Sequence, residues 1–416
     1  MQPPAPSSPR STISRRDILR LTAVAGAGLA AAPLLAACGG DDGETTSSPS
    51  TTLGGSTTSS APQSLGELKI GYLPITDATP LLVAHASGLL TKRGFEAPDP
   101  VLLRSWPSIA EAFQAKQVDV VHLLMPLAMQ LRFGAKQPVK VVAWNHLNGS
   151  ALTVAKDVQS VNDLAGTTVA IPFWWSIHNV VLQKILRAAG LTPIVSGSAS
   201  AADKTVKLEV LAPADMPPAL ASGSIAGFIV ADPFNALAET QDVGKILRFT
   251  GDVWRDHACC VTVVREDLVT ERPDAAQALT DALAEAQLTA AADRAGTAKV
   301  LSEKGYLPQP LPAIERALTH YDLAEYQPTG AIVHADWKSE RIDFQPFPFP
   351  SYTEELIEAL RETTIDGDTS WLSAVDASAA HEELVAVGLA EKAIDNLGGN
   401  EKFGLTARTR TETIAP

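Results

Sequence analysis

From residue 68 onward the apolar positions follow two alternating periods. Short apolar runs bounded by Gly, Pro or Asp predict strands at 68–73, 101–104, 118–123 and 139–144. Between them, apolar residues at i, i+3 and i+4 predict helices over 80–90, with Pro80 at the first helical position, and over 107–116. A second cycle starts after 152–156. It comprises a short helix at 158–164, a strand at 167–171, a helix at 176–189, a strand at 206–211, a helix at 216–222 and a strand at 227–230. Strands alternating with helices of this length predict an α/β fold on mostly parallel sheets. Two further strands, 245–249 and 260–264, are expected to take the chain back to the first lobe, followed by a long Ala-rich helix at 273–292. Helices at 295–303, 311–320, 353–361 and 379–396 complete the body. The proline-rich stretch 344–350 must be extended or turning, and the tail after Asn400 is expected to be loose.

A chain of 416 residues exceeds what one hydrophobic core usually covers, so two lobes behind a non-globular leader are expected. Arg15 and Arg16 precede an apolar, Ala- and Gly-rich run from Leu19 to Ala37, the arrangement of a twin-arginine export signal. The run ends in Leu35-Ala36-Ala37-Cys38-Gly39, which resembles a bacterial lipobox whose Cys38 thiol would be lipidated. A membrane-spanning anchor is the competing reading, because nineteen residues approach spanning length. Small residues and the terminal Cys favour the processed lipoprotein signal. The expected organisation is a signal at 1–37, a lipidated, disordered Ser/Thr-rich tether at 38–65, and the first part of lobe 1 at 66–152. Lobe 2 follows at 153–250, the return to lobe 1 with C-terminal helices at 251–400, and a tail at 401–416. The protein would then be exported and lipid-anchored on the outer face of the cytoplasmic membrane.

Hydrophobic residues make up 45% and charged residues 19%, values of a soluble globular body. The formal charge is −14, and the leader carries four arginines against one aspartate, so the remainder stands at −17. A nucleic-acid partner, which wants a basic face, is excluded on that ground, whereas small anions are not. Three cysteines, Cys38, Cys259 and Cys260, cannot build a disulfide framework. Adjacent Cys259 and Cys260 could form a strained vicinal disulfide, coordinate a metal with His257, or pack as small hydrophobes.

The turn from Ile171 to Asn179 places Trp174, Trp175, Ser176 and His178 where a buried strand meets a helix. In open α/β sheets that is where ligands collect, and a helix N-terminus favours an anion. The ordinary reading of either Trp is a core aromatic. Enzyme signatures are missing: there is no Gly-x-Ser-x-Gly elbow and no Gly-Lys-Ser/Thr phosphate loop, and His381-Glu382-Glu383-Leu384-Val385 lacks the second His of a zinc-protease helix.

Six blocks in order resemble the solute-binding proteins of ABC importers for nitrate, bicarbonate, sulfonates, taurine and thiamine-type pyrimidines, over residues 68–350. They are Ile70 to Leu81 with Gly88-Leu89-Leu90, Ser105-Trp106, Asp119-Val120-Val121-His122, and the turn from Phe173 to Asn179. Ala226-Gly227-Phe228 with Asp232-Pro233-Phe234-Asn235, and Trp254-Arg255-Asp256-His257, complete the set. The resemblance implies a two-lobed fold of the type II periplasmic-binding-protein kind, closing over a small molecule. It also implies delivery to an ABC permease and its ATPase, with no catalysis, no cofactor and a monomeric state. An exported enzyme, a pyrimidine-related protein on the same fold and a ligand-sensing subunit are the alternatives. The Leu-Pro-Ile-Thr-Asp loop, the His-Asn turn and the Asp-His pair are similar to the nitrate and bicarbonate branch. Members of that branch commonly carry a charged residue shortly after the Asp-His pair, where this chain has Ala258-Cys259-Cys260.

Strand ends and helix starts supply the candidate ligand residues. They are Asp77 and Thr79 in the first loop, Trp106, Met125, and from the second lobe Trp174, Trp175, Ser176, His178 and Asp232. No metal ligand is assigned. A planar anion would use His178 and backbone N–H groups, and a flat heteroaromatic would stack on the tryptophans and use an Asp. Asp77 and Asp232 can alternatively serve as helix caps or turn residues, Asp232 above all because Pro233 follows it.

Overall fold

The computed structural model describes residues 64–416. The expected export signal, Cys38 and nearly all of the tether lie outside the described residues. Strands of the first sheet are β1 (Ile70–Tyr72), β2 (Val101–Leu102), β3 (Val120–Leu124) and β4 (Val139–Trp144). The second sheet takes β5 (Ser150–Val154), β6 (Thr168–Ile171), β7 (Thr192–Ile194), β8 (Thr205–Val210), β9 (Gly227–Ala231) and β10 (Lys245–Phe249). The chain then returns to the first sheet as β11 (Cys260–Arg265). The orders are β2-β1-β3-β11-β4 and β7-β8-β6-β9-β5-β10. Every residue of β3, β5 and β9 is buried, His122, Ser150 and Thr153 included, which is why these strands show no alternation of apolar and polar positions.

Both sheets are mostly parallel, as expected, but each carries one reversed strand. In each, one strand opposes its neighbours: β11 runs antiparallel to β3 and β4, and β5 runs antiparallel to β9 and β10. The reason is where the chain crosses. It leaves the first sheet at the carboxyl end of β4 and enters the second directly as β5, and it leaves at the end of β10 and re-enters as β11. A strand entered from the carboxyl-end side must run back against strands fed by βα units. Gly149 in the first crossing sits at φ +79°, and a Cβ there would meet His146 Nδ1 at 3.1 Å, so a bare backbone is needed at this point.

Helices follow the apolar spacing. α1 (Thr79–Ala86), α2 (Trp106–Gln114) and α3 (Ile177–Ala188) start where the preceding strand ends. Ser105 and Ser176 cap α2 and α3 by accepting from the N–H groups of Ser108 and Asn179. Gly190 follows α3 at φ +73°, as the sequence stop required. α4 (Pro273–Ala292) packs Ala275, Leu279, Leu283 and Ala286 against Leu81, Val83 and Ala84 of α1. Among the described residues no helix is long and apolar enough to cross a membrane.

Two expectations are corrected. The continuous helix at 379–396 is two helices, Ala377–Leu384 and Val387–Asn396. Between them Val385 is extended and bridges Val141, and Ala386 N–H donates to the Val141 carbonyl at 2.9 Å. An edge of the first sheet thus satisfies backbone groups that helix continuation would have used. The tail after Asn400 is also bound down, not loose. Thr413 accepts from Arg255 N–H at 3.0 Å, Ala415 donates to Val253, Glu412 accepts from the Trp254 indole at 2.8 Å, and Arg410 lies 4.4 Å over the Phe349 ring.

Arg341 is a buried cation held by two carboxylates. Its guanidinium donates to both oxygens of Asp232, at 2.7 and 3.0 Å, and to Glu239 at 3.1 Å. Arg341→Ala is expected to cost about 3–5 kcal/mol in denaturant unfolding, because it leaves buried carboxylates uncompensated. Arg341→Met with Asp232→Asn should cost less than Arg341→Ala alone. His381, hydrogen-bonded to Thr353 at 2.8 Å, is pushed down to about 4 by burial. Its unfolded value is 6.5, so the stability it carries is full above 6.5 and is lost as pH falls from 6.5 toward 4. Denaturant midpoints measured from pH 8 to pH 4 should fall less steeply in His381→Gln.

Candidate ligand site at the crossing of the two sheets

The carboxyl ends of β1, β3 and β4, the start of β11 and the start of α3 meet at one buried point. β1 leads into a short turn, Thr76–Ala78, that presents Asp77. β4 is followed by Asn145 and His146, and β11 begins at Cys260 with Cys259 just before it. α3 contributes His178 from its first turn. All of these side chains are fully buried.

The distances are short. Asp77 Oδ2 lies 3.0 Å from His146 Nε2, yet neither Asp77 carboxylate oxygen accepts an aligned hydrogen bond among the described residues. Cys259 Sγ is 3.9 Å from Cys260 Sγ and 3.8 Å from His178 Nε2. His178 Nε2 is also 2.9 Å from Ser150 Oγ on β5. Donor atoms of Asp77, His146, Cys259 and Cys260 all lie within 4.8 Å of one another. The backbone fixes the set: Met125 N–H donates to the Cys259 carbonyl at 3.0 Å, Asn145 N–H to the Cys260 carbonyl at 3.1 Å, and the Asn145 amide to the Asp77 carbonyl at 3.1 Å. Thr262 on β11 donates to Asn145 Oδ1 at 2.6 Å.

The electrostatics follow from burial and from neighbours. Burial alone would raise Asp77, but the charge and contact of His146 outweigh it and hold the carboxyl below its ordinary range. Burial likewise opposes the His146 imidazolium, and Asp77 overcomes it, raising His146 to about 10. Burial pushes the Cys260 thiol up, whereas Cys259 falls below the ordinary thiol value because hydrogen bonding from Cys260 and the nearby histidines outweighs its own burial. His122, whose Nε2 accepts from Leu73 N–H at 2.9 Å, is pushed down to about 4 by burial and sits edge-on to Trp106 at 5.6 Å.

Of the sequence candidates, the structure brings together Asp77 and His178. Trp106 lies beside them behind His122, its indole N–H without a partner among the described residues. Met125 reaches the site through its backbone. Thr79 is turned to local work, its hydroxyl donating to the Thr76 carbonyl at 2.6 Å. Ser176 is the cap of α3, Trp175 tilts against Trp371 at a ring distance of 5.3 Å, and the half-buried Trp174 packs at the edge of the core. Asp232 gives its carboxylate to Arg341 and its carbonyl to Thr76, which donates both its N–H and its hydroxyl, at 2.8 and 2.9 Å. Of the three readings of the cysteine pair, the vicinal disulfide does not form, since both thiols are free. The neighbour of the cysteines is His146 rather than His257, whose Nε2 is 2.9 Å from Thr250 Oγ1. His146 is not among the sequence candidates although it lies two residues past the end of β4, a strand-end position like theirs.

The NMT1-like family model matches residues 61–303. The nitrate/nitrite binding protein NrtA of Nostoc sp. is 27% identical over 261 residues, 57% of this chain and 57% of that one. The nitrate import ATP-binding protein NrtC of Synechocystis sp. is 32% identical over 232 residues, 53% of this chain and 34% of that one. This chain therefore spans less than two thirds of either relative. The crystal structure of the periplasmic nitrate-binding protein NrtA from Synechocystis PCC 6803 superposes with a TM-score of 0.67 at 22% identity, covering 84% of this chain and 93% of that one. That likeness places the fold among the periplasmic binding proteins. With the family model matched over more than half of its length, the chain belongs to the NMT1-like family.

Proposed function

We propose that the protein is the extracytoplasmic substrate-binding component of an ABC importer, capturing a small solute between two lobes and delivering it to a membrane permease driven by an ATPase. One observation carries the reading. Side chains from elements of both sheets, Asp77 and Cys259 from one and His178 from the other, converge on a fully buried polar point, and Thr76 and Asp232 close the seam beside it. Buried polar groups left without partners in a protein interior call for a ligand that satisfies them. Its relatives' names, nitrate/nitrite binding protein and nitrate import ATP-binding protein, support the importer role and the pairing with an ATPase. Capture and release, not turnover, is the task. The lobes are the expected 66–152 with 251–400, and 153–250, with the first boundary moved to before Ser150, where β5 of the second sheet begins. The arginine pair and Cys38 supply export and a lipid anchor, so a monomer works at the outer face of the cytoplasmic membrane. Nitrate, bicarbonate, sulfonates and small organic solutes are the ligand classes to try.

A thermal-shift screen of the full-length chain over those classes, run with and without divalent cations, tests the reading. One class should raise the melting temperature, because a ligand at a hundredfold excess over its dissociation constant stabilises the fold by about 2.7 kcal/mol. His178→Ala should lose most of that shift. No stabilisation by any solute or cation would overturn the importer role.

A further inference from the structure

We infer that Asp77, His146, Cys259 and Cys260 form a four-donor site for a thiophilic metal cation of the Zn2+ class, and that this cation is what the closed lobes enclose. The inference rests on the binding-protein reading and names the solute.

Spacing decides between a cation and an oxyanion. A tetrahedral metal with bonds to sulfur of about 2.3 Å places two thiolates about 3.8 Å apart. The Cys259 and Cys260 sulfurs are 3.9 Å apart. Opposite that edge, Asp77 Oδ2 and His146 Nε2 stand 3.0 Å apart, close to the roughly 3.3 Å edge that two bonds of about 2.0 Å would set. The whole set fits within 4.8 Å. A hydrogen-bonded oxyanion such as nitrate would instead hold opposing donors on the order of 7 Å apart, two hydrogen bonds of about 2.8 Å plus its own width.

Charge points the same way. Asp77 contacts no Lys or Arg among the described residues, and its only ion-pair partner there is His146. An anion entering here would meet a buried carboxylate and a thiol pair, and the one cationic group beside them, the His146 imidazole, is already paired with Asp77. For a cation, the same groups are two sulfur donors, one oxygen and one nitrogen, a mixture that favours Zn2+ or Cu+ over Mg2+ or Ca2+. The Asp77 oxygens lack an aligned hydrogen bond, and the donors come from three separate segments, positioned by Asn145, Met125 and Thr262. On binding, the thiols and the imidazolium give their protons to solvent as the metal bonds form, so occupancy is coupled to pH.

The test uses the full-length chain with Cys38→Ser, so that only Cys259 and Cys260 carry thiols. Co2+ added to the reduced protein should give thiolate-to-cobalt charge-transfer absorption saturating at one ion per chain, and Zn2+ should bleach it. Zn2+ should also slow thiol alkylation of the native protein at least tenfold relative to chelator-treated protein, a readout that requires no further variant. Cys259→Ser and Cys260→Ser should each weaken Zn2+ affinity at least tenfold in competition with a chromophoric chelator. Absence of the cobalt band, or alkylation that is indifferent to Zn2+, overturns the metal site. If an anion or organic solute then stabilises the metal-free protein, and equally so in the cysteine variants, the importer reading stands while this one falls.

Discussion

Asp232 joins the two sheets, and everything at the crossing depends on how it is held. Its carboxylate is gripped by Arg341, which turns its carbonyl toward Thr76 of the other sheet. Arg341 is in turn fixed by Glu239, to which Arg316 and the Tyr326 hydroxyl also donate. A charge network of this kind is costly to bury and contributes little net stability over an apolar replacement, so geometry is the better account of its presence. It sets the distance between the turn that carries Asp77 and the strand end that carries Asp232.

The mixed sheets follow from the same crossing. Each lobe needs its strand carboxyl ends at the shared face, because that is where loops and helix starts can present polar groups. Two direct connections across that face force one reversed strand into each sheet. The reversed strand β11 then begins, rather than ends, at the shared face, and so places Cys259 and Cys260 there. A protein with only βα units could not deliver two adjacent thiols to that point from a strand start.

Much of this was legible in the sequence. The period of the apolar positions placed the longer strands and helices, including 273–292 to the residue, because burial is what both the pattern and the fold record, but it gave no sign of the strand Thr192–Ile194 or the helix Phe234–Thr240. The split of the helix expected at 379–396 was not legible, since the pairing of Val385 with Val141 spans 244 residues that no local window sees. The tail was misjudged for the same reason: its polar, small residues look solvated until Trp254 and Phe349 are known to lie under Glu412 and Arg410. At the site, the strand-end rule named Asp77 and His178, which the fold brings together, and Asp232, whose pairing with Arg341, 109 residues later, no local window shows. Adjacent cysteines were read beside His257, their neighbour in the chain, whereas the fold supplies His146.

The complete burial of the cluster has a kinetic meaning. Asp77, His146, Cys259, Cys260 and His178 are all fully buried, so a solute reaches them only after the surrounding structure opens, and the Thr76–Asp232 seam is the contact beside them that joins the two sheets. In the proposed importer, exchange waits for that seam to part, and at high solute concentration the rate of uptake becomes independent of concentration and equal to the rate of opening. Release is governed in the same way. A permease that pulled the two lobes apart would therefore shorten the residence time without having to compete for a single bond to the bound solute.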